Sequence, residues 1–411
     1  MCFVQLFLRS GVRDSLLIWK EDSRPKLSGS HAQISKLAPR RVQKGTILRM
    51  RIMHLESGRH LYGGAQQVRY LIQGLEADGI ENVLVCPRNS EIAASTRAKE
   101  IVELPMGGDL DVLLPHRLKT VIERYAPSIF HVHSRRGADL VGGWSARSAG
   151  VPAVLTRRVD NRELGPWARF KYRPYQAVVA ISSAVEDELL SHVGLDTQCV
   201  FTVPSAVDSE RYRPTPSHDR LEKILGLTTR ALMIGVVAQL IPRKGHALLF
   251  ECLPELLSRH PDIHVLCFGR GPLKEKLVRQ LSDLGLDAHV SFMGFRNDLP
   301  DLLPGIGLLV HPAEREGLGV AVLEAMSTGI PVVASRAGGL VDLVEHEVHG
   351  LLFEPCDRHG LTQAVARMLS DTGLRVRCGI AGRRKAQTRF SIEQMSKRYL
   401  EIYNRILSIV P

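Results

Sequence analysis

The chain has 411 residues, 44% hydrophobic and 24% charged. That is too long for one ordinary core and too evenly composed for a disordered or fibrous protein, so two soluble globular domains are expected. The formal charge of +11 is local: residues 1–49 hold ten lysines and arginines against three acidic residues, Arg135 to Arg173 hold nine against three, and the rest is close to neutral. A basic nucleic-acid-binding module is therefore disfavoured.

Residues 1–49 show no helix or strand periodicity of useful length and read as a loosely ordered leader, a candidate non-native start. Arg9, Arg13 and Asp14 interrupt its most apolar stretch. With no uncharged apolar run of about 18 residues anywhere, neither a signal peptide nor a membrane span is expected. Seven cysteines, Cys2, Cys86, Cys199, Cys252, Cys267, Cys356 and Cys378, are scattered and odd in number. No Cys-x-x-Cys pair occurs, which favours a reducing compartment over a disulfide framework or zinc site.

A first strand reads from Met50 in "MRIMHLES", followed by the glycine turn "YGGA" and the amphipathic helix "QQVRYLIQGLEADG". Apolar strand-like runs then recur with helical segments between them: "NVLVCP", "IFHVHS", "AVLTRR", "AVVAIS" and "VFTVPS". Such alternation implies parallel strands joined by crossover helices and buried on both faces. The proline-rich polar stretch "PSAVDSERYRPTPSHD" is hard to place in a core and reads as a linker. The pattern restarts with "ALMIGVVAQL", "HVLCFG", "VSFMG", "GLLVHPA", "PVVAS" and "GLLFEP". Two successive doubly wound units follow from this, with ligands expected in the cleft at the carboxyl ends of the strands.

Three segments carry candidate chemistry. "GLLVHPAEREGLGVAVLEAMSTG" is a strand, a loop and a helix, which puts Glu316 in the loop and Glu324 about a turn into the helix. The amides of Gly317, Leu318 and Gly319 open that helix, where unsatisfied donors and the helix dipole favour anions. Carboxylates so placed can accept hydrogen bonds from sugar and ribose hydroxyls. "IPRKGH" brings Arg243 and Lys244 to another strand end, where cations can neutralise a diphosphate. "CFGRGPLKEKL" is a strand, a Gly-x-Gly turn and a helix, so that Gly269 and Gly271 can form a backbone wall of a nucleotide pocket.

With these residues in hand, the chain from about Met50 onward resembles the family 4 retaining glycosyltransferases of GT-B fold: α/β proteins whose two Rossmann-like domains face each other across a cleft. The signature of two glutamates separated by seven residues, then a small-residue turn and Pro-Val-Val-Ala-Ser, stands here as "EGLGVAVLEAMSTGIPVVAS". Further landmarks are "GGAQQV", "HVHS", "VPSAVD", "KGH" and "GRGP". The resemblance implies an acceptor-binding domain over 50–209, a nucleotide-sugar-binding domain over 210–390, and a terminal helix over 391–411 that crosses back to the first domain.

It also implies that Glu316 contacts hydroxyls of the donor sugar, that Glu324 contacts the ribose, and that Lys244 binds the diphosphate with help from Gly64. The family's usual arginine five residues before the lysine is Gln239 here, and Arg243 is the nearest substitute. His133 is implied to face the cleft near the transferred sugar. His131 and His133 share a strand face but have no nearby carboxylate or cysteine, a poor metal site. No cofactor and no metal are expected.

Arg135, Arg136, Arg157 and Arg158 follow strand ends in the acceptor domain and suit phosphate or carboxylate groups of an anionic glycan or glycolipid acceptor. The reading is of a cytoplasmic hexosyltransferase of lipopolysaccharide or other envelope-glycan synthesis, with peripheral contact at the inner membrane surface and no nucleic-acid partner. A sugar-nucleotide 2-epimerase of the same fold is the nearest alternative. An NAD-dependent oxidoreductase, a different class, lacks the Gly-x-Gly-x-x-Gly fingerprint after a first strand.

Overall fold

The computed structural model describes residues 50–108, 111–133, 137–159, 162–163, 165–215, 218–226 and 232–409, so the leader of 1–49 lies outside the described residues. Two parallel sheets organise the remainder. The first contains β1 (Arg51–Leu55), β2 (Glu81–Pro87), β3 (Glu100–Leu104), β4 (Ile129–Val132), β5 (Ala153–Arg157), β6 (Ala177–Ala180) and β7 (Val200–Thr202), in the order β3-β2-β1-β4-β5-β6-β7. The second contains β8 (Leu232–Val237), β9 (Ile263–Phe268), β10 (Val290–Gly294), β11 (Leu308–His311), β12 (Val332–Ser335) and β13 (Gly350–Phe353), in the order β10-β9-β8-β11-β12-β13.

Both orders reverse direction beside the first strand of their sheet, the doubly wound pattern that opens a crevice at the strand carboxyl ends. β4, β5 and β6 are buried along their whole length, because crossover helices cover both faces. The strand absent from the sequence reading is β3: Glu100 and Glu103 flank Ile101 and Val102, and the strand lies at the sheet edge, where charged side chains are tolerated.

The stretch read as a linker is partly core. Ala206, Val207 and Tyr212 are buried, Val207 N donates to Phe390 O at 2.8 Å, and the Tyr212 carbonyl accepts from Ser327 Oγ at 2.7 Å. Its polar composition hides three inward-facing side chains spaced too irregularly to show a period.

The helix Ile392–Ile409 returns to the first lobe. Its apolar stripe of Ile392, Met395, Tyr399, Ile402, Tyr403 and Ile406 clusters with Tyr70, Leu71 and Leu75 of the helix Gly63–Ala77 and with Ile52, Ile129 and Val154 of the sheet. Side chains at i, i+3, i+4 and i+7 share one helix face, so the stripe can only be satisfied by packing.

The lobes meet at several points. Ser183 donates from its amide (2.8 Å) and its hydroxyl (2.6 Å) to Asp342, and Tyr62 stands edge-on to Phe295 with ring centroids 5.9 Å apart.

Candidate active site

Lys244 ends a short 3-10 turn, Pro242–Lys244, just beyond β8, and Glu316 lies in the loop beyond β11. The two are 72 residues apart in sequence, yet the Lys244 ammonium pairs directly with Glu316 Oε2. His311 Nε2 donates to the same oxygen at 2.7 Å, and Glu316 Oε1 accepts from the Gly317 amide at 3.2 Å. Burial alone would push the Glu316 carboxyl up, but the hydrogen bond and charge of His311, with the Lys244 ammonium, outweigh it and hold the group well below the usual carboxylate range. Glu316 is thus a fixed anion. His246, buried beneath the same loop, has its pKa lowered to about 4 by burial first and by His311 and Lys244 next.

The helix Val320–Thr328 begins at Gly319, whose φ of 98° lies in the left-handed region, and no side chain caps it. Its first-turn donors are therefore available to an anion. Gly317 lies against the other lobe: a Cβ there would stand 2.6 Å from the Arg158 carbonyl oxygen. The Arg158 side chain in turn passes within 3.6 Å of the position a Cβ on Gly64 would take, at the start of the helix Gly63–Ala77. Gly64, Arg158, Gly317, Glu316 and Lys244 consequently form one continuous track across the two lobes.

Glu324, one turn along its helix, hydrogen-bonds Tyr212. Burial raises its pKa to about 7, opposed by that hydrogen bond and by Arg211. Tyr212 and Arg211 come from the stretch read as a linker, and no periodic signal could have placed them here. Arg243 lies beside Lys244, half-buried, with Nη1 3.4 Å from the Arg315 carbonyl. Gly269 and Gly271 have a structural reason of their own. At Gly269, with φ of 142°, a Cβ would stand 1.9 Å from the Ala238 carbonyl oxygen, and at Gly271 one would stand 2.3 Å from that of Leu240. Both let the loop after β9 lie on the loop after β8.

The arginines part company. Arg157 is the last residue of β5 and points inward, 3.0 Å from Glu163 Oε2 and bonded to the Tyr172 hydroxyl, in a buried cluster with Lys171 and Asp139. This corrects the expectation that it faces an acceptor. Arg158, the residue after β5, instead lies where the lobes meet, its side chain against Gly64 and its carbonyl against Gly317. Its Nε is buried and has no hydrogen-bond partner among the described residues, and burial lowers its pKa against the pull of Tyr399 and Glu56. Arg135 and Arg136 lie outside the described residues.

His133 follows β4 and is 3% exposed. Its ring centroid is 3.8 Å from that of His131 and 5.2 Å from that of His54, and one ring nitrogen from each histidine fits within 4.8 Å of the others. The two-histidine picture from the sequence is therefore corrected to three. Burial drives all three pKa values down, that of His54 to about 4. His131 is held by the Tyr403 hydroxyl at 2.6 Å and by Thr156 Oγ1 at 2.8 Å, so the returning helix reaches this cluster directly.

Two family descriptions match in tandem, "Glycosyltransferase Family 4" over residues 62–211 and "Glycosyl transferases group 1" over 217–385. The UDP-Gal:alpha-D-GlcNAc-diphosphoundecaprenol alpha-1,3-galactosyltransferase of Escherichia coli is 28% identical over 269 residues, 62% of this chain and 69% of that protein. The lipopolysaccharide core biosynthesis mannosyltransferase LpsB of Rhizobium meliloti is 27% identical over 290 residues, 67% of this chain and 79% of its own length. Anabaena Alr3699/HepE, solved in complex with UDP, superposes with a TM-score of 0.76 at 21% identity, over 87% of this chain and all of that one.

Proposed function

The chain belongs to the family 4 glycosyltransferases, and from that premise we propose that it transfers a hexose from a nucleotide diphosphate sugar to a hydroxyl of an anionic glycan or glycolipid in bacterial envelope synthesis. The observation that carries this reading is the Lys244–Glu316 pair, set in a loop that touches Arg158 of the opposite lobe.

The chemical task is to stabilise negative charge on a departing diphosphate while the anomeric carbon becomes oxocarbenium-like. Lys244 turns from Glu316 to the diphosphate when donor enters, and the open amides at the start of the helix Val320–Thr328 add to its field. Glu316, released from the lysine but still bonded to His311, accepts from donor-sugar hydroxyls. Glu324 accepts from the ribose, and Gly64 brings a second helix start toward the phosphates. Arg158, whose Nε has no hydrogen-bond partner among the described residues, supplies the guanidinium of the acceptor side. A lysine and helix amides carry the charge that a metal supplies elsewhere, so no metal or cofactor is assigned. Attack on the face from which the diphosphate leaves, with a phosphate oxygen taking the acceptor's proton, gives retention without a protein base.

No helix among the described residues is long and apolar enough to cross a membrane. A cytoplasmic protein that docks on the membrane surface fits an exposed patch on the first lobe, where Trp144 and Trp167 both stack on Phe170 and Arg147 lies over Trp144. The test is a panel of UDP-, GDP- and ADP-sugars, screened by thermal shift and then by transfer of labelled sugar to lipid-linked and lipopolysaccharide acceptors. A stabilising donor must also be turned over, and Lys244→Ala must lower kcat/KM by roughly 10² or more. Normal turnover by that variant would remove the lysine from the mechanism, and sugar conversion with acceptor omitted would indicate an epimerase.

A further inference from the structure

The histidine cluster contains a proton arrangement that can be solved by donor and acceptor counting. Asn82 donates its Nδ2 hydrogen to the Ile80 carbonyl at 3.0 Å, which fixes the amide orientation and leaves Oδ1 facing His54 Nε2, also at 3.0 Å. An amide oxygen only accepts, so His54 Nε2 must carry a hydrogen. Neutral His54 then has a bare Nδ1. That atom lies 3.0 Å from His133 Nε2, which must donate to it. Neutral His133 is left with a bare Nδ1, and this nitrogen is buried with no hydrogen-bond partner among the described residues. His133 also borders a cavity of about 30 Å³ with Thr156, Arg158 and Val159.

We propose that Asn82 and His54 are positioning residues that hold His133 in the Nε2–H tautomer, so that its Nδ1 lone pair accepts a hydrogen bond from a substrate hydroxyl. The hydroxyl rests on the transferase reading above; the tautomer does not. The opposite tautomer would put the His54 Nε2 lone pair against Asn82 Oδ1, or the turned amide oxygen against the Ile80 carbonyl. Either arrangement sets two buried acceptors face to face, which disfavours it by on the order of tenfold or more. Protonation of the cluster is opposed by its burial, by the three imidazoles' mutual proximity and by the Arg158 charge.

The competing occupant is a divalent transition metal on His54, His131 and His133. It is disfavoured because both nitrogens of His131 already meet hydroxyls, those of Tyr403 and Thr156, while His54 and His133 share a hydrogen between them.

The experiment is long-range ¹H–¹⁵N NMR of the full chain carrying ¹⁵N-histidine, with His133→Phe used for assignment and the metal content measured by mass spectrometry. The expected wild-type result is a protonated Nε2 and bare Nδ1 on His133 with less than stoichiometric metal. Asn82→Leu is expected to mix the tautomers and lower kcat about tenfold with little change in the donor KM. A wild-type His133 protonated on Nδ1, a stoichiometric metal, or an Asn82→Leu protein with an unchanged tautomer would each overturn the proposal. If Asn82→Leu does not fold, the wild-type spectrum alone decides. A correct tautomer in a protein that turns over no sugar nucleotide would sink the transferase reading and leave the relay standing.

Discussion

Replacing Glu324 with Gln removes a charge that the free site opposes. Its carboxyl pKa is raised from 4.5 to about 7, so between those values the folded chain binds a proton that the unfolded chain releases. The stability tied to this proton is full below about pH 4.5, declines as pH rises, and is gone once pH passes about 7. A displacement of this size corresponds to about 3 kcal/mol at 1.36 kcal/mol per unit. Gln is neutral throughout and keeps an oxygen for the Tyr212 hydroxyl. Glu324→Gln should therefore match the wild type at pH 4.5 and exceed it at pH 8 by about 3 kcal/mol, or roughly 6 to 12 °C in Tm for a lobe of this size. Thermal melts across that pH range read the difference directly. The same variant should bind donor about tenfold more weakly, because a carboxylate accepts ribose hydroxyls better than an amide does. A Tm difference that stays constant with pH would refute the reasoning, since it would mean that Glu324 is ionised and comfortable in the free protein.

Gly317→Ala should lower kcat/KM by at least tenfold while circular dichroism stays unchanged, because its Cβ would press on the Arg158 carbonyl and prop the lobes apart; small-angle scattering should show the expansion. Tyr403→Phe leaves a His131 nitrogen without its hydroxyl partner and should cost about 1–3 kcal/mol in urea unfolding. The double change Trp167→Ser and Phe170→Ser should weaken binding to anionic vesicles by tenfold or more, with turnover of a water-soluble acceptor unaltered. Vesicle binding equal to wild type would free that patch from any membrane role.

The architecture was legible in the sequence because parallel sheets are buried on both faces. Their strands appear as short apolar runs at helix-length intervals, and the break at "PSAVDSERYRPTPSHD" separates two such series. β3 escaped because an edge strand may carry Glu100 and Glu103. The strand, loop and helix that carry Glu316, Gly317 to Gly319 and Glu324 were also readable, since they are contiguous in the chain.

What the sequence determined by itself is the two-lobed doubly wound fold and a glutamate-bearing helix start, both set by local periodicity and by residues within a few positions of one another. Only the tertiary structure brought Lys244 onto Glu316, His311 and Tyr212 beside the two glutamates, and His54 onto His133, and it sent Arg157 inward while Arg158 lay where the lobes meet. Those contacts join residues from separate elements, or depend on which face of a strand is turned to the core. Direction and partner at that range are fixed by packing, which no spacing along the chain encodes.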